Sequence, residues 1–164
     1  MTAMSSNSPI TSTLGDSERD VTGRALRATL LELVDLSLIG KQAHWNVVGP
    51  FFRSVHLQLD DLVSMARKYS DKVAERAAAL GVSPDGRAKS VAEGSGLPNY
   101  PDGWRQDGDV VRDVVGILDD LVHRVRARID ETDKTDQVTQ DLLIALTDKL
   151  EEARWMWQAQ LAGR

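Results

Sequence analysis

The stretch QAHWNVVGPFFRSVHLQLDD, Gln42 to Asp61, sets two of the chain's three histidines twelve residues apart, on either side of Gly49-Pro50. The pattern is helical before this pair and helical again after it. The residue before a proline is disfavoured in the α region and glycine tolerates a tight turn, so the pair marks a reversal between two helices. The first helix is expected from Asp20. It carries Leu26, Leu30, Leu31, Leu33, Val34, Leu36, Leu38 and Ile39, apolar over most of its circumference, so it must be covered on more than one side. The second runs from about Phe52 to Leu80, with Val55, Leu59, Leu62, Ala66, Tyr69, Val73, Ala77 and Leu80 on one stripe and Gly81 as its C-terminal cap.

Ahead of the first helix, residues 1–19 are rich in Ser and Thr, lack apolar periodicity and read as a mobile tail before a domain spanning 20–164. Between Val82 and Asp107 the chain carries Pro84, Pro98 and Pro101 and reads as a long crossover with one short helix around Ala88 to Glu93. A third helix, about Gln106 to Thr132, bears Val111, Val114, Leu118, Leu121 and Val125. A fourth starts near Thr139 as N-cap and bears Leu142, Leu143, Leu146, Leu150, Ala153 and Trp157. No strand pattern and no internal repeat is legible. Two helical hairpins joined by a long crossover make an all-α, ferritin-like four-helix bundle.

Composition narrows the chemistry. With 164 residues and no cysteine, the chain forms one domain with a core of its own and has neither disulfides nor thiolate metal sites. Any metal must be held by nitrogen and oxygen. A net charge of −5 and a pI near 5.2 argue against a generically basic nucleic-acid binder. No stretch has the apolar length of a membrane span and the N-terminus lacks a signal-peptide pattern, so a cytoplasmic protein is the default reading.

The polar residues of the second helix then become informative. His56 and Asp60 are four apart, as are Asp71 and Glu75, and all four fall in a sector of about 100° that faces away from the apolar stripe. The two pairs are about 22 Å apart along the axis, too far to ligate one metal within one chain. Antiparallel packing of this helix on its own copy, about a two-fold axis near Met65 and Ala66, brings His56 and Asp60 of one chain opposite Asp71 and Glu75 of the other. His44, folded back by the Gly-Pro turn, adds a second imidazole. Two imidazoles and three carboxylates suit Fe(II), and less exclusively Mn(II) or Zn(II). Each feature has a plainer explanation too: an Asp/Glu pair one turn apart is ordinarily solvated surface, and a lone histidine is ordinarily a satisfied core or capping group. Asp119, Asp120 and His123 also have ligand spacing but point away from the Leu118/Leu121/Val125 stripe, which makes them surface.

The quoted stretch, followed by YSDKVAERAAALG, resembles the signature of Dps proteins, the DNA-binding proteins from starved cells, which are miniature ferritins. The pattern H-x11-H-x3-D-x10-D-x3-E is complete at His44, His56, Asp60, Asp71 and Glu75, and the likeness extends through QDLLIALTDKLEEARWMWQAQL. The resemblance implies a homo-oligomeric hollow dodecamer with ferroxidase sites at its two-fold interfaces. There His44, His56 and Asp60 of one chain and Asp71 and Glu75 of the partner would hold iron, oxidised preferentially by hydrogen peroxide, with dioxygen as the other oxidant, and stored as Fe(III) mineral to limit oxidative damage. It also implies a tryptophan beside the centre, here Trp45, as electron donor or interface aromatic, and carboxylates at three-fold pores, here Asp133, Asp136 and Asp141 in DETDKTDQVTQD. A solvated acidic loop explains that run equally well. The third and fourth helices have no Glu-x-x-His motif, which argues against a diiron site inside the bundle.

The family's other implied role, DNA binding and nucleoid association, is where this sequence departs from the pattern. A nucleoid protein whose metal site only holds subunits together is the alternative reading. Residues 1–20 hold no Lys, one Arg (Arg19) and three acids (Asp16, Glu18, Asp20), so the start of the chain offers little to neutralise phosphates. Duplex DNA is therefore expected to bind weakly or not at all at physiological salt. A mobility shift that persists there with sub-micromolar protein would contradict this.

Overall fold

The computed structural model describes residues 8–163; residues 1–7, part of the expected tail, lie outside the described residues. The chain forms α1 (Asp16–Asn46), β1 (Val47–Val48), α2 (Phe52–Ala79), α3 (Ala88–Gly94), β2 (Arg105–Gln106), α4 (Asp107–Thr132) and α5 (Gln137–Ala159). α1 packs along α2 and α4 along α5, and the segment carrying α3 crosses from one hairpin to the other. This is the four-helix bundle with one long connection that the periodicities predict, with the short helix of the crossover at Ala88–Gly94.

The near-continuous apolar surface of α1 has its explanation in its neighbours, because α2, α3 and α4 all pack against it. Leu26, Leu33 and Leu36 are fully buried, with Leu59 from α2, Leu118 and Leu121 from α4, and Leu143, Leu146, Leu150 and Trp157 from α5. Each buried leucine contributes about 2 kcal/mol of transfer free energy. One charged group sits among them. Glu32 on α1 is 3% exposed, and its carboxylate accepts from Arg124 (2.9 Å) and Arg128 (2.5 Å) of α4. Arg128 also donates to the Thr29 hydroxyl at 3.3 Å. The crossover passes directly over this triad at Gly96, where a Cβ would overlap the Arg124 guanidinium and lie 2.8 Å from Glu32 Oε1.

Three boundaries differ by more than one residue from the sequence-based expectations. α1 begins at Asp16 rather than Asp20. Its first turn is polar, carrying Asp16 and Glu18, which suit a helix N-terminus, and an Arg19–Asp16 ion pair at 3.0 Å, none of which shows as apolar periodicity. α1 ends at Asn46, short of Gly49, because Val47 and Val48 pair in parallel with Arg105 and Gln106. That pairing corrects the expectation of no strands; two residues are too few to display a period of two. α5 begins at Gln137, with Asp136 as N-cap in place of Thr139: the Asp136 side chain accepts from the backbone N–H groups of Val138 and Thr139. At the far end of α2, Gly81 (φ 74°) stands just past the helix, as expected. The N–H groups of Gly81 and Val82 donate to the carbonyls of Ala78 and Ala77.

Removing one member of a buried charge cluster leaves its partners unpaired in a poorly solvating interior. Glu32→Ala is expected to cost about 3 kcal/mol, read as a lowered urea midpoint at fixed protein concentration. A loss under about 1 kcal/mol, the range of exposed pairs, would show that the triad adds nothing.

Candidate metal centre

The turn between α1 and α2 is built on Gly49, whose φ of 127° is one that L side chains rarely adopt. Its carbonyl accepts from Phe52 N–H at 3.1 Å, starting α2 one residue after Phe51. This geometry stacks His44, in the last turn of α1, on His56, in the second turn of α2. Their ring centroids are 3.6 Å apart at 19°, and Phe52 flanks His56 at 5.1 Å.

Hydrogen bonding sets the tautomer of both rings. His44 Nδ1 lies 2.8 Å from the His56 carbonyl, and His56 Nδ1 lies 2.8 Å from the His44 carbonyl. A carbonyl oxygen only accepts, so in each neutral imidazole the proton is on Nδ1 and the lone pair on Nε2. Metal-ligating histidines are held in this way, by an outer partner on the other ring nitrogen. In the neutral form each ring of the pair therefore keeps its lone pair on Nε2.

Asp60 stands 3.4 Å from His44 Nδ1 and is ion-paired with Lys41. The Lys41 ammonium beside it, helped by the neighbouring imidazoles, holds its carboxyl below the usual carboxylate range against a smaller opposing effect of burial. The structure thus sets Asp60 beside His44, and His44 against His56. Asp71 and Glu75 lie further along α2, both exposed, and among the described residues no three His, Asp or Glu side chains of one chain converge to hold a metal. Lys41 escaped the sequence reading, although its spacing of three from His44 puts it on the same helix face. Asp107, whose carboxylate accepts from Phe51 N–H at 2.6 Å, also escaped it, and no local signal would have found it.

A family model for the ferritin-like domain matches residues 24–163. The chain is 35% identical over 152 residues to the DNA protection during starvation protein of Mycolicibacterium smegmatis, covering 90% of this chain and 81% of that one. The chain belongs to the Dps family of ferritin-like proteins. Among solved structures, Mycobacterium smegmatis Dps superposes with a TM-score of 0.90 at 33% identity, over 96% of this chain and 91% of that one. Dps from Microbacterium arborescens in its high iron form superposes with a TM-score of 0.87 at 32% identity, over 93% and 99% of the two chains. The fine tangled pili major subunit of Haemophilus ducreyi is 37% identical over 137 residues, 84% of this chain and 72% of that one.

The remaining candidate residues of this Dps chain sit as follows. Trp45, next to His44, is 66% exposed. Asp133, at the α4–α5 turn, and Asp141, in the second turn of α5, are exposed, and Asp133 accepts from Gln140 at 3.1 Å. Asp136 turns inward, to Arg76 Nη2 at 2.6 Å, the Thr139 hydroxyl at 2.5 Å and the first N–H groups of α5. Burial pushes its carboxyl up, but Arg76 and Thr139 outweigh that and leave it below the usual range. Asp120 and His123 are exposed, Asp119 pairs with Arg154 at 2.7 Å, and His123 Nδ1 donates to the Asp119 carbonyl at 2.7 Å.

Lys41→Ala is expected to return the Asp60 carboxyl toward the ordinary carboxylate range, since the largest cause of its lowering is lost. A ¹³C NMR titration of that carboxyl reads the change, and an unmoved midpoint would show that Lys41 does not govern it.

Proposed function

We propose that the chain is a ferroxidase that takes Fe(II) as substrate at sites shared between two subunits, oxidises it preferentially with hydrogen peroxide, and stores the Fe(III) product in a closed shell of twelve copies. The observation that carries this reading is the reciprocal imidazole–carbonyl pair, which leaves the lone pair of each neutral ring on Nε2, with the Asp60 carboxylate 3.4 Å from His44 Nδ1. Neutral nitrogen with hard oxygen is a donor set for ferrous iron. Asp71 and Glu75 are exposed on α2, where a second copy packed about a two-fold axis supplies them to the first copy's histidines. Family membership agrees with this assembly, and a relative solved in a high iron form agrees with the cargo.

His44 and His56 bind through Nε2, and the carboxylates fix the ion and offset the charge gained on oxidation. Two Fe(II) ions give one electron each to one peroxide, whose O–O bond breaks: 2 Fe²⁺ + H₂O₂ + 2 H₂O → 2 FeOOH + 4 H⁺. Both reagents of hydroxyl-radical formation are consumed together and no radical leaves. Trp45 stands by as electron donor or interface aromatic. Asp133 and Asp141 are the exposed carboxylates that would concentrate cations at a pore. Asp136 is already committed to Arg76 and the α5 N-terminus, so its charge is matched within the subunit.

Ferrous iron and peroxide added in a two-to-one ratio, followed by size-exclusion chromatography, should leave many iron atoms per subunit eluting with a large shell. Precipitated iron, or no more than a couple of ions per chain, would make the site structural. The variant Asp71→Asn/Glu75→Gln should assemble yet oxidise iron at least about tenfold more slowly, because even outer partners of metal ligands are worth about 10–100-fold. Lost assembly in that variant, with DNA binding intact in the native protein, would favour the nucleoid role instead.

A further inference from the structure

The α1–α2 turn that stacks the two histidines is held from outside by a distant part of the chain. On one side of Gly49, β1 pairs with β2, Val47 with Arg105 and Val48 with Gln106. β2 is itself fixed to α4 by the two-pronged pairing of Arg105 with Asp113, at 2.5 and 2.9 Å. On the other side, Asp107, the first residue of α4, sends its carboxylate into the turn. Oδ2 accepts from Phe51 N–H at 2.6 Å, and the carboxylate fills the space a side chain at position 49 would take, with Oδ2 2.6 Å and Cγ 2.8 Å from that Cβ position. Asp107 is 6% exposed, so this is a buried charge with a specific task.

We propose that Asp107, seated against Gly49, is a positioning residue for the metal-binding imidazoles. It rests on the reading of His44 and His56 as ligands. The hydrogen bonds that set the two tautomers run across the turn, each ring to the other residue's carbonyl, so they survive only while residues 44 and 56 keep one separation and one twist. Glycine at 49 makes the required bend accessible, but it equally makes the turn free to adopt others. A charge-assisted bond to the first N–H after the proline removes that freedom. The carboxylate is tied to the end of α4, a long helix buried on its inner face, so the turn inherits the rigidity of the second hairpin. Asp107 acts through the turn and does not touch the metal.

Cobalt(II), which is redox-silent in this setting, is titrated into the assembled full-length protein and followed by its visible absorption. Asp107→Ala removes the acceptor, and Gly49→Ala attacks the same contact from the other side. Each is expected to weaken Co(II) binding on the order of tenfold, the scale of outer-partner losses, while Asp107→Asn, whose amide oxygen still accepts from Phe51 N–H, stays within about twofold. Val125→Ala, a buried α4 position about 27 Å along the helix from Asp107, controls for general loosening and should also leave Co(II) affinity unchanged. If Asp107→Ala does not fold, Gly49→Ala and Asp107→Asn carry the comparison. Unchanged affinity in Gly49→Ala and Asp107→Ala overturns the inference and leaves the site intact. So does an equal loss in Val125→Ala, or a loss in Asp107→Asn as large as in Asp107→Ala. If the native protein shows no Co(II) binding that His56→Ala abolishes, the ligand reading falls, and the role of Asp107 with it.

Discussion

Two imidazole N–H groups, each donating to the other residue's backbone carbonyl across one glycine turn, are the constraint around which this molecule is organised. Backbone carbonyls at a helix end and just inside a helix start ordinarily look to water or to the next turn of the helix. Here the carbonyl in the last turn of α1 accepts from a side chain of α2, and a carbonyl of α2 accepts from a side chain of α1. The same two bonds close the hairpin and choose which ring nitrogen keeps its lone pair. Fold and chemistry share a single set of atoms at this point. Such a device works only if the hairpin cannot slide, and the packing of Leu59 and Leu62 of α2 within the core that includes Leu33, Leu36 and Ile39 of α1 supplies that resistance.

The rest of the fold bears on that hairpin. α1 is apolar nearly all round because it is the element with neighbours on three sides, and the one acid in its buried surface, Glu32, is matched by two arginines from α4. A buried ion cluster is weak evidence for stability as such, since hydrophobic replacements are often as stable. Its value here is in alignment. An apolar stripe tolerates a slip along the helix, whereas Glu32 has its partners at one register only. The charges of the second hairpin serve a similar purpose at its turn, where Asp136 joins α5 to Arg76 of α2.

Much of this was legible in the amino-acid sequence, for reasons that mark where legibility stops. The helices announced themselves through the spacing of Leu and Val, a property summed over many residues and so robust to local exceptions. The start of α1 at Asp16 and the cap at Asp136 depend on a few polar side chains, whose alternatives differ by about 1 kcal/mol, so spacing alone does not separate Asp136 from Thr139 as the cap. The pairing of Val47-Val48 with Arg105-Gln106 joins residues nearly sixty apart and has no local signature. At the proposed site, the donor types and spacing of His44, His56, Asp60, Asp71 and Glu75 stand in the sequence itself. The tautomers could not, because they follow from which carbonyl each ring faces. Lys41 and Asp107 were invisible for a related reason: an ordinary lysine and an ordinary first-turn aspartate acquire meaning only from what they touch.

The triad at Glu32 has a consequence for how this chain can drift. Loop positions ordinarily vary freely between relatives, and core positions do not. Gly96 reverses that expectation, because the volume any side chain there would need is already filled by the Arg124 guanidinium. Gly116, in the middle of α4, has nothing within 4 Å of where its Cβ would be. The helix position is thus open within the subunit, while a side chain at the loop position must push the Arg124 guanidinium away from Glu32, and a ranking of sites by secondary structure alone would order the two the wrong way round.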